Sequence, residues 1–578
     1  LKEGNPGDSI FTTLGMDDVI FEADVATNRP DCLSVKGIAR EAAATFGVPF
    51  VERKPELKNT VKEDVSKYLK VTVNAPDLCP RYTARVVKNV RIAPSPLWLV
   101  EKLRNSGIRS INNIVDITNY VMMEYGQPMH AFDYACVKGG EIIVRRAGDS
   151  KTVRTLDSEE RALKPEMLVI ADAEKPIAVA GVMGGENSEI TDKTETVVFE
   201  SANFFGPSIR RTAKAIGMRT DASARYEKGL DPLMTREALD RACELVEMLD
   251  AGDVIDEVID IDSSDKTRKK IHLDVDWINT YINTSLSRRE MEKILESLCF
   301  EIKLHDVIVP SFRSDIETKY DLSEEIARIY GYDNIKPESF KSEASGGGYT
   351  DEQKFVIKLN ESLRAAGLSE IFTYTFIGPK AFDKIRVPEN DARRNYLKIS
   401  NPLGEDTSIM RTTTLPSMLE ILSKNYNNRN PEAYLYELGK VFEKTSDETL
   451  PNEKTVVTVG FYDNSGASDF FTLKGMIESV VAAMNIKNVS FIPCTDNASY
   501  HPGRCAALLS DGEKIGVFGE IHPTVAANYE IDKKVYCAEI ALEKLYASVG
   551  EEKSYKPVPK HPASTRDLGL LCKDEVSC

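Results

Sequence analysis

Three charged stretches without hydrophobic period decide how this chain can fold. "VERKPELKNTVKEDVSK" (51–67), "DSSDKTRKK" (262–270) and "KPESFKSEASGGGYTDEQ" (336–353) repeat neither at the helical nor at the strand interval. Core helices and core strands do not run through such segments. The 578 residues must therefore build several separate cores. The breaks give segments 1–50, 68–261, 262–336 and 354–548, with 51–67 and 337–353 as linkers and a final piece at 549–578. Alternating strands and amphipathic helices recur in the longer segments, so the fold class is multidomain α+β. No repeat at solenoid period is visible.

Local signals place the elements. In 1–50, "NRPD" is turn chemistry, Ser34 can cap, and "VKGIAREAAATFG" is a helix closed by Gly47. From 68, strands are expected at "KVTVNAP", "YTARVVKNV", "EIIVRRA", "LVIAD", "PIAVAGVMGG" and "TETVVFESANF", with helices at 95–106, over "INNIVDITNYVMMEY", at 207–217 and at 222–251. Segment 262–336 reads as strand, helix, short hairpin and helix, and 354–545 mixes helices with antiparallel strands.

Composition narrows the class of function. The chain has 42% hydrophobic and 29% charged residues, and no run approaches the roughly 18–20 apolar residues of a membrane span. Its ten cysteines form no C-x-x-C pair and have no histidines at zinc spacing, which fits reduced thiols in a cytoplasm. A net charge of −17 opposes nonspecific nucleic-acid binding, although "SIRRTAKAIGMR" (208–219) gathers Arg210, Arg211, Lys214 and Arg219. That run is a local basic surface or a solvated helix face. The beginning, "LKEGNPGDSIF", and the end, "LCKDEVSC", read as cut from a longer protein.

Two constellations can carry chemistry. In "SDIETKYDLSEEIARIYGY" (314–332), Asp321, Glu324 and Glu325 fall at i, i+3 and i+4, opposite a Leu322/Ile326/Ile329/Tyr330 stripe, with Asp315 upstream. They are dipole complements of a first turn or oxygen ligands for a hard cation such as Mg²⁺. The second constellation is dispersed: His130 in the turn of "YGQPMHAFDY", the glycines of "GVMGGE", Glu200 after an apolar run, and "MRTDASARYEKG". Asn112, Asp116 and Asn119 add a polar row, either a cleft wall or an exposed face. Spacing alone leaves His130 a catalyst, a metal ligand or a core histidine. A metal hydrolase is disfavoured, because no H-x-x-x-H or H-x-x-E-H pair is present.

"NRPDCLSVKGIARE", "NNIVDITNYVMMEYGQPMHAFD", "VAGVMGGENSEI", "RTDASARYEKGLDP", "DLSEEIARIYGYDNI", "MRTTTLPSMLE" and "YELGKVF", in this order, resemble the bacterial phenylalanyl-tRNA synthetase β subunit. The resemblance implies an N-terminal α/β segment of the β-subunit core (1–50), an α+β editing domain (68–261) and a small Mg-binding, tRNA-binding helix/hairpin domain (262–336). It further implies a degenerate class II synthetase-like antiparallel sheet domain (354–548) and the start of a truncated ferredoxin-like anticodon-binding domain (549–578).

As function it implies a cytoplasmic (αβ)₂ heterotetramer that charges tRNA with phenylalanine, with ATP bound by the α subunit. The β subunit would hydrolyse Tyr esters on that tRNA through His130, Gly184, Glu200, Thr220 and Ala222, with Asn119 beside them. A non-editing scaffold of the same enzyme is the alternative. Asp315, Asp321, Glu324 and Glu325 would be the Mg²⁺ ligands, although the hairpin before them is short and Ser314 replaces an aromatic residue. Glu443 stands where an active core would place a phosphate-binding arginine, so the 354–548 domain would be a partner surface.

Overall fold

The computed structural model describes residues 5–13, 16–339, 343, 346–446, 449–551 and 554–573. The chain divides into two compact units, 1–340 and 341–578. Among the described residues no helix is long and apolar enough to cross a membrane, and the cysteines are unpaired; Cys578 lies outside them.

The first unit opens as its caps dictate. Ser34 accepts from the Gly37 amide and starts the helix Val35–Phe46, and Gly47 closes it at φ 64°; replacing such a cap by alanine costs about 1 kcal/mol. Residues 51–67 are not a free linker. Glu244 accepts from Arg53 and the Glu56 amide, and Glu247 from the amides of Lys58 and Asn59, pinning the segment along the helix Met234–Met248.

Two sheets follow. One orders the strands Lys70–Val73, Glu141–Arg146, Leu168–Ala171, Pro176–Val179 and Met183–Gly184. In the other, Val197–Asn203 lies between Arg81–Lys88 and Met129–Asp133, antiparallel to both. Every residue of Val197–Asn203 is buried, and its two faces serve two cores. Val198 and Ala202 join Tyr82, Ala84 and Phe132 in the core shared with the first sheet. Val197 and Phe199 pack instead with residues of the helices Asn113–Tyr125 and Met234–Met248. Strand alternation therefore turns Glu200 into the first core, among apolar neighbours.

The boundaries differ from expectation where turn chemistry intervenes. His130 lies on the strand Met129–Asp133, not in the turn before it. The single helix expected over 222–251 is two, Asp221–Tyr226 and Met234–Met248, because the backbone turns left-handed at Gly229 (φ 86°) and Pro232 has no amide to resume the ladder. Residues 271–332 hold one helix more than expected, Val275–Ile282 and Arg288–Ser297 being separated at Asn283 in the left-handed region. A three-stranded sheet and the helix Lys319–Tyr330 complete that part.

The second unit is built on a seven-stranded sheet ordered Ser369–Glu370, Glu432–Glu443, Asn452–Asp463, Val535–Ala541, Glu513–Ile521, Tyr500–Ser510 and Val489–Pro493. Only the first pair is parallel. The helices Asp351–Ala365 and Phe470–Ala483 contribute to the core on one face and Leu415–Asn427 to the core on the other. Asp351 begins a helix through a Thr350–Gln353 capping box, so the expected linker 337–353 ends earlier. Residues 554–573 form neither helix nor strand; the strand expected at the start of 549–578 has no ladder partner among them, and 574–578 lie outside the described residues.

Candidate functional site

A cavity of about 310 Å³ opens among the two five-stranded sheets of the first unit and the helix Asp221–Tyr226. His130, Gly184, Glu200, Thr220, Ala222 and Asn119 all line it. Strand register brings His130 and Glu200 together across 70 positions of sequence: Glu200 stands directly opposite His130 on one side and Ala84 on the other.

Glu200 is buried, and its Oε2 accepts one hydrogen bond, from the Tyr82 hydroxyl at 2.7 Å. Among the described residues nothing donates to its other oxygen. Burial pushes the carboxyl up to about 7, and the Tyr82 bond opposes that rise. Across the register, His130 Nε2 is sealed from solvent without a hydrogen-bond partner. Burial pushes this imidazole down to about 4, so it is neutral at pH 7. A buried polar atom without a partner costs about 1–3 kcal/mol. That orphaned nitrogen and the spare oxygen of Glu200, facing one cavity, mark a place for a polar ligand.

The glycine turn supplies the room. A Cβ on Gly184 would stand 2.3 Å from His130 Cε1 and 2.8 Å from Nε2, so only glycine lets the backbone approach the ring. The Thr220 hydroxyl is committed: it accepts from the Ser223 amide (3.1 Å) as a helix cap and donates to the Val182 carbonyl (2.8 Å). It thereby ties the cap to the 181–184 turn. Ala222 is half-buried against the core.

The polar row 112/116/119 separates. Asn112 caps its helix, and Asp116 is buried under Ser95 (2.6 Å), Ser110 and the Ile111 amide (2.8 Å). Only Asn119 reaches the cavity.

Sequence reading missed Tyr82, which holds Glu200, and Tyr226, whose hydroxyl lies 3.0 Å from both the Pro128 and Ala202 carbonyls and accepts from Gln127. Two-residue alternation puts Tyr82 on the face of Ala84 and Val86, which was available as a signal; the register that sets it beside Glu200 was not.

The four expected metal ligands do not assemble. Arg313 donates to Asp315 (2.9 Å) and to Glu325 (2.5 Å), and Arg328 donates to Glu325 and to Glu41 (each 2.6 Å). Arg29 joins Glu41 to Asp31 (2.8 Å to the latter), closing an alternating chain of four acids and three arginines. Burial works against the charge of Glu325, yet Arg313 and Arg328 hold its carboxyl down to about 2. Asp321 Oδ2 accepts from the Glu317 amide (2.8 Å), the Thr318 amide (2.6 Å) and the Thr318 hydroxyl (2.9 Å) as a helix cap, and Glu324 is exposed.

Glu325 adjoins the Leu322/Ile326 stripe and is buried with it, which takes it off the face expected for three shared carboxylates. Arranged in this way the set does not fit a Mg²⁺ ion. The acid trio within ligand distance among the described residues is Asp31, Cys32 and Glu41. Arg29 already binds both of its carboxylates, and the Cys32 thiol is pushed up to about 12, chiefly by burial.

In the second unit the buried Arg411 is likewise consumed, by the Lys440 carbonyl (2.9 Å), Thr373 (2.6 Å), Ser417 (3.2 Å) and Glu437 (3.3 Å). Glu443 ends its strand at the surface, paired with Lys454 at 2.6 Å.

Comparison with known proteins matches three family models: the B3/4 domain over residues 78–251, the tRNA synthetase B5 domain over 271–332, and the phenylalanyl tRNA synthetase beta chain CLM domain over 335–542. The phenylalanine–tRNA ligase beta subunit of Clostridium acetobutylicum is 43% identical over 582 aligned residues, covering 100% of this chain and 73% of the relative. That of Clostridium tetani is 43% identical, covering 99% and 72%. That of Geobacter metallireducens is 39% identical, covering 99% and 73%.

Proposed function

The chain belongs to the family of phenylalanine–tRNA ligase β subunits, and from that premise we propose that its cavity hydrolyses tyrosine esters formed by mistake on the tRNA. It is a subunit of an aminoacyl-tRNA ligase. In the proposed enzyme an α subunit binds ATP and attaches phenylalanine to the tRNA, in an (αβ)₂ assembly. The second unit, a largely antiparallel sheet, acts as a class II-like core without its own chemistry. Its buried arginine is already paired, and Glu443 would repel a phosphate.

The observation that carries the editing reading is the spare oxygen of Glu200 facing the cavity. Tyrosine and phenylalanine differ by one hydroxyl. A polar group placed for that hydroxyl is satisfied by tyrosine and left unpaired by phenylalanine, which discriminates by roughly 10⁴–10⁵. Glu200 accepts from the phenol while Tyr82 holds the carboxylate from behind. Gly184 and Ala222 leave space for the ring. Among the described residues neither serine nor cysteine lines the cavity, so water attacks the ester carbonyl and releases tyrosine and the free terminal ribose hydroxyl of the tRNA. Neutral His130 orients that water or the ester through Nε2, and proximity supplies the catalysis. Thr220 acts by holding the 181–184 turn. No step is routed through a metal: of the acids expected to bind one, Asp315 and Glu325 are paired with arginine, Asp321 serves as a cap and Glu324 is exposed.

The test assembles the chain with an α partner and supplies tyrosine esterified to phenylalanine tRNA. Glu200→Ala should abolish hydrolysis, and EDTA should spare it. Wild-type rates in both Glu200→Ala and His130→Ala would take the reaction out of this cavity, and a wild type that hydrolyses no tyrosine ester would reduce the chain to a scaffold.

A further inference from the structure

The helix Gly206–Ala215 has a second concave side. A cleft of about 570 Å³ lies along it, lined by Arg146, Lys164, Arg211 and Lys214 and by a single carboxylate, Glu166. Arg146 shares its charge with Asp77 at 2.5 Å. Lys164, Arg211 and Lys214 are exposed and have no ion pair among the described residues. In a chain of net charge −17 this cleft reverses the sign locally.

The helix also relates the cleft to the cavity. Its Ile209 and Ala213 face the core, with Ile209 against Gly181 of the cavity wall, while Ser208, Arg211, Thr212 and Ala215 face the cleft. One helix, roughly 10–12 Å across with its side chains, separates the two spaces. Phosphates of a stacked strand recur about every 3.4 Å, so that thickness spans about three nucleotides.

We propose that this cleft binds backbone phosphates of the single-stranded 3′ end of the tRNA whose ester enters the Glu200 cavity. The inference rests on the editing reading. Lys164, Arg211 and Lys214 make sequence-independent phosphate contacts that position the strand and do not touch the reacting ester.

The experiment compares two substrates in the assembled enzyme: tyrosine on phenylalanine tRNA, and tyrosyl-adenosine, which has the ester but no phosphate. In Lys164→Glu/Arg211→Glu/Lys214→Glu the KM for the tRNA ester should rise at least about tenfold, and the slope of log affinity against log salt should fall by about 2, at roughly 0.7 per lost phosphate contact. Hydrolysis of tyrosyl-adenosine should be unchanged, which also reports an intact cavity. An unchanged KM and slope, or equal loss on both substrates, would overturn the proposal. If the wild type cleaves neither ester, the editing reading fails by itself, and fluorescence titration of uncharged tRNA decides the cleft: weaker binding by the variant supports it, equal binding rejects it. Should the triple reversal not fold, Arg211→Gln gives the same readout with a slope change of about 0.7.

Discussion

The cavity around Glu200 and the acid–arginine chain around Glu325 both bury carboxylates, and they treat them in opposite ways. Glu325 has two guanidinium partners and is held down to about 2 against its burial. Glu200 has one neutral partner and is pushed up to about 7. A saturated buried charge stitches the fold together; an unsaturated one waits for a ligand. Spare hydrogen-bonding capacity, and not the presence of acids, separates site from structure here.

The comparison breaks most forcefully at Arg313. Arg313→Met strips Asp315 of its guanidinium partner and leaves Glu325 only Arg328, so denaturant unfolding should show a loss of about 3–5 kcal/mol. EDTA should leave the unfolding midpoint of the wild type unchanged. A silent Arg313→Met combined with a drop in EDTA would return these acids to a cation.

Next in size is a pair of opposed pH effects. Glu200 is raised from 4.5 to about 7, so its protonated form stabilises the fold below pH 4.5 and that contribution is lost as pH rises through 7. His130 is lowered from 6.5 to about 4, so its contribution is present above 6.5 and lost as pH falls through 4. Each is worth about 3 kcal/mol, and between 4.5 and 6.5 they cancel. Relative to wild type, Glu200→Gln should become more stable with rising pH across that window and His130→Leu less stable, as measured by urea titration at each pH.

Gly184→Ala comes third. Its methyl displaces the His130 ring, and ester hydrolysis should fall about 100-fold, mostly in kcat. Tyr82→Phe is the mildest. It removes the one hydrogen bond that lowers the Glu200 carboxyl, so the pH profile of Tyr-ester hydrolysis should move to higher pH, with a stability cost of about 1–2 kcal/mol.

The sequence carried much of this organisation and little of its geometry. Ser34 and Gly47 bound their helix as local chemistry requires, and the core strands could be read from apolar runs. His130 and Glu200 became neighbours only through the resemblance to a known family, because a strand's register is a long-range fact that its own residues do not encode. The acids at 321, 324 and 325 share a helical spacing, which is blind to the Arg313 and Arg328 partners of Glu325 and to the Arg29–Glu41 link beyond them. Arg313 precedes its helix and Arg29 lies nearly three hundred residues away from it, so spacing along one element could not find the chain.

The account rests on Glu200 reading the phenol, and the direct measurement is a ratio: kcat/KM for hydrolysis of tyrosine against phenylalanine, each esterified to the same tRNA, in wild type and Glu200→Ala. The wild type should favour tyrosine by orders of magnitude, and the variant should bring the ratio to within about tenfold of one by losing the tyrosine reaction. A tyrosine preference that survives Glu200→Ala intact would contradict it.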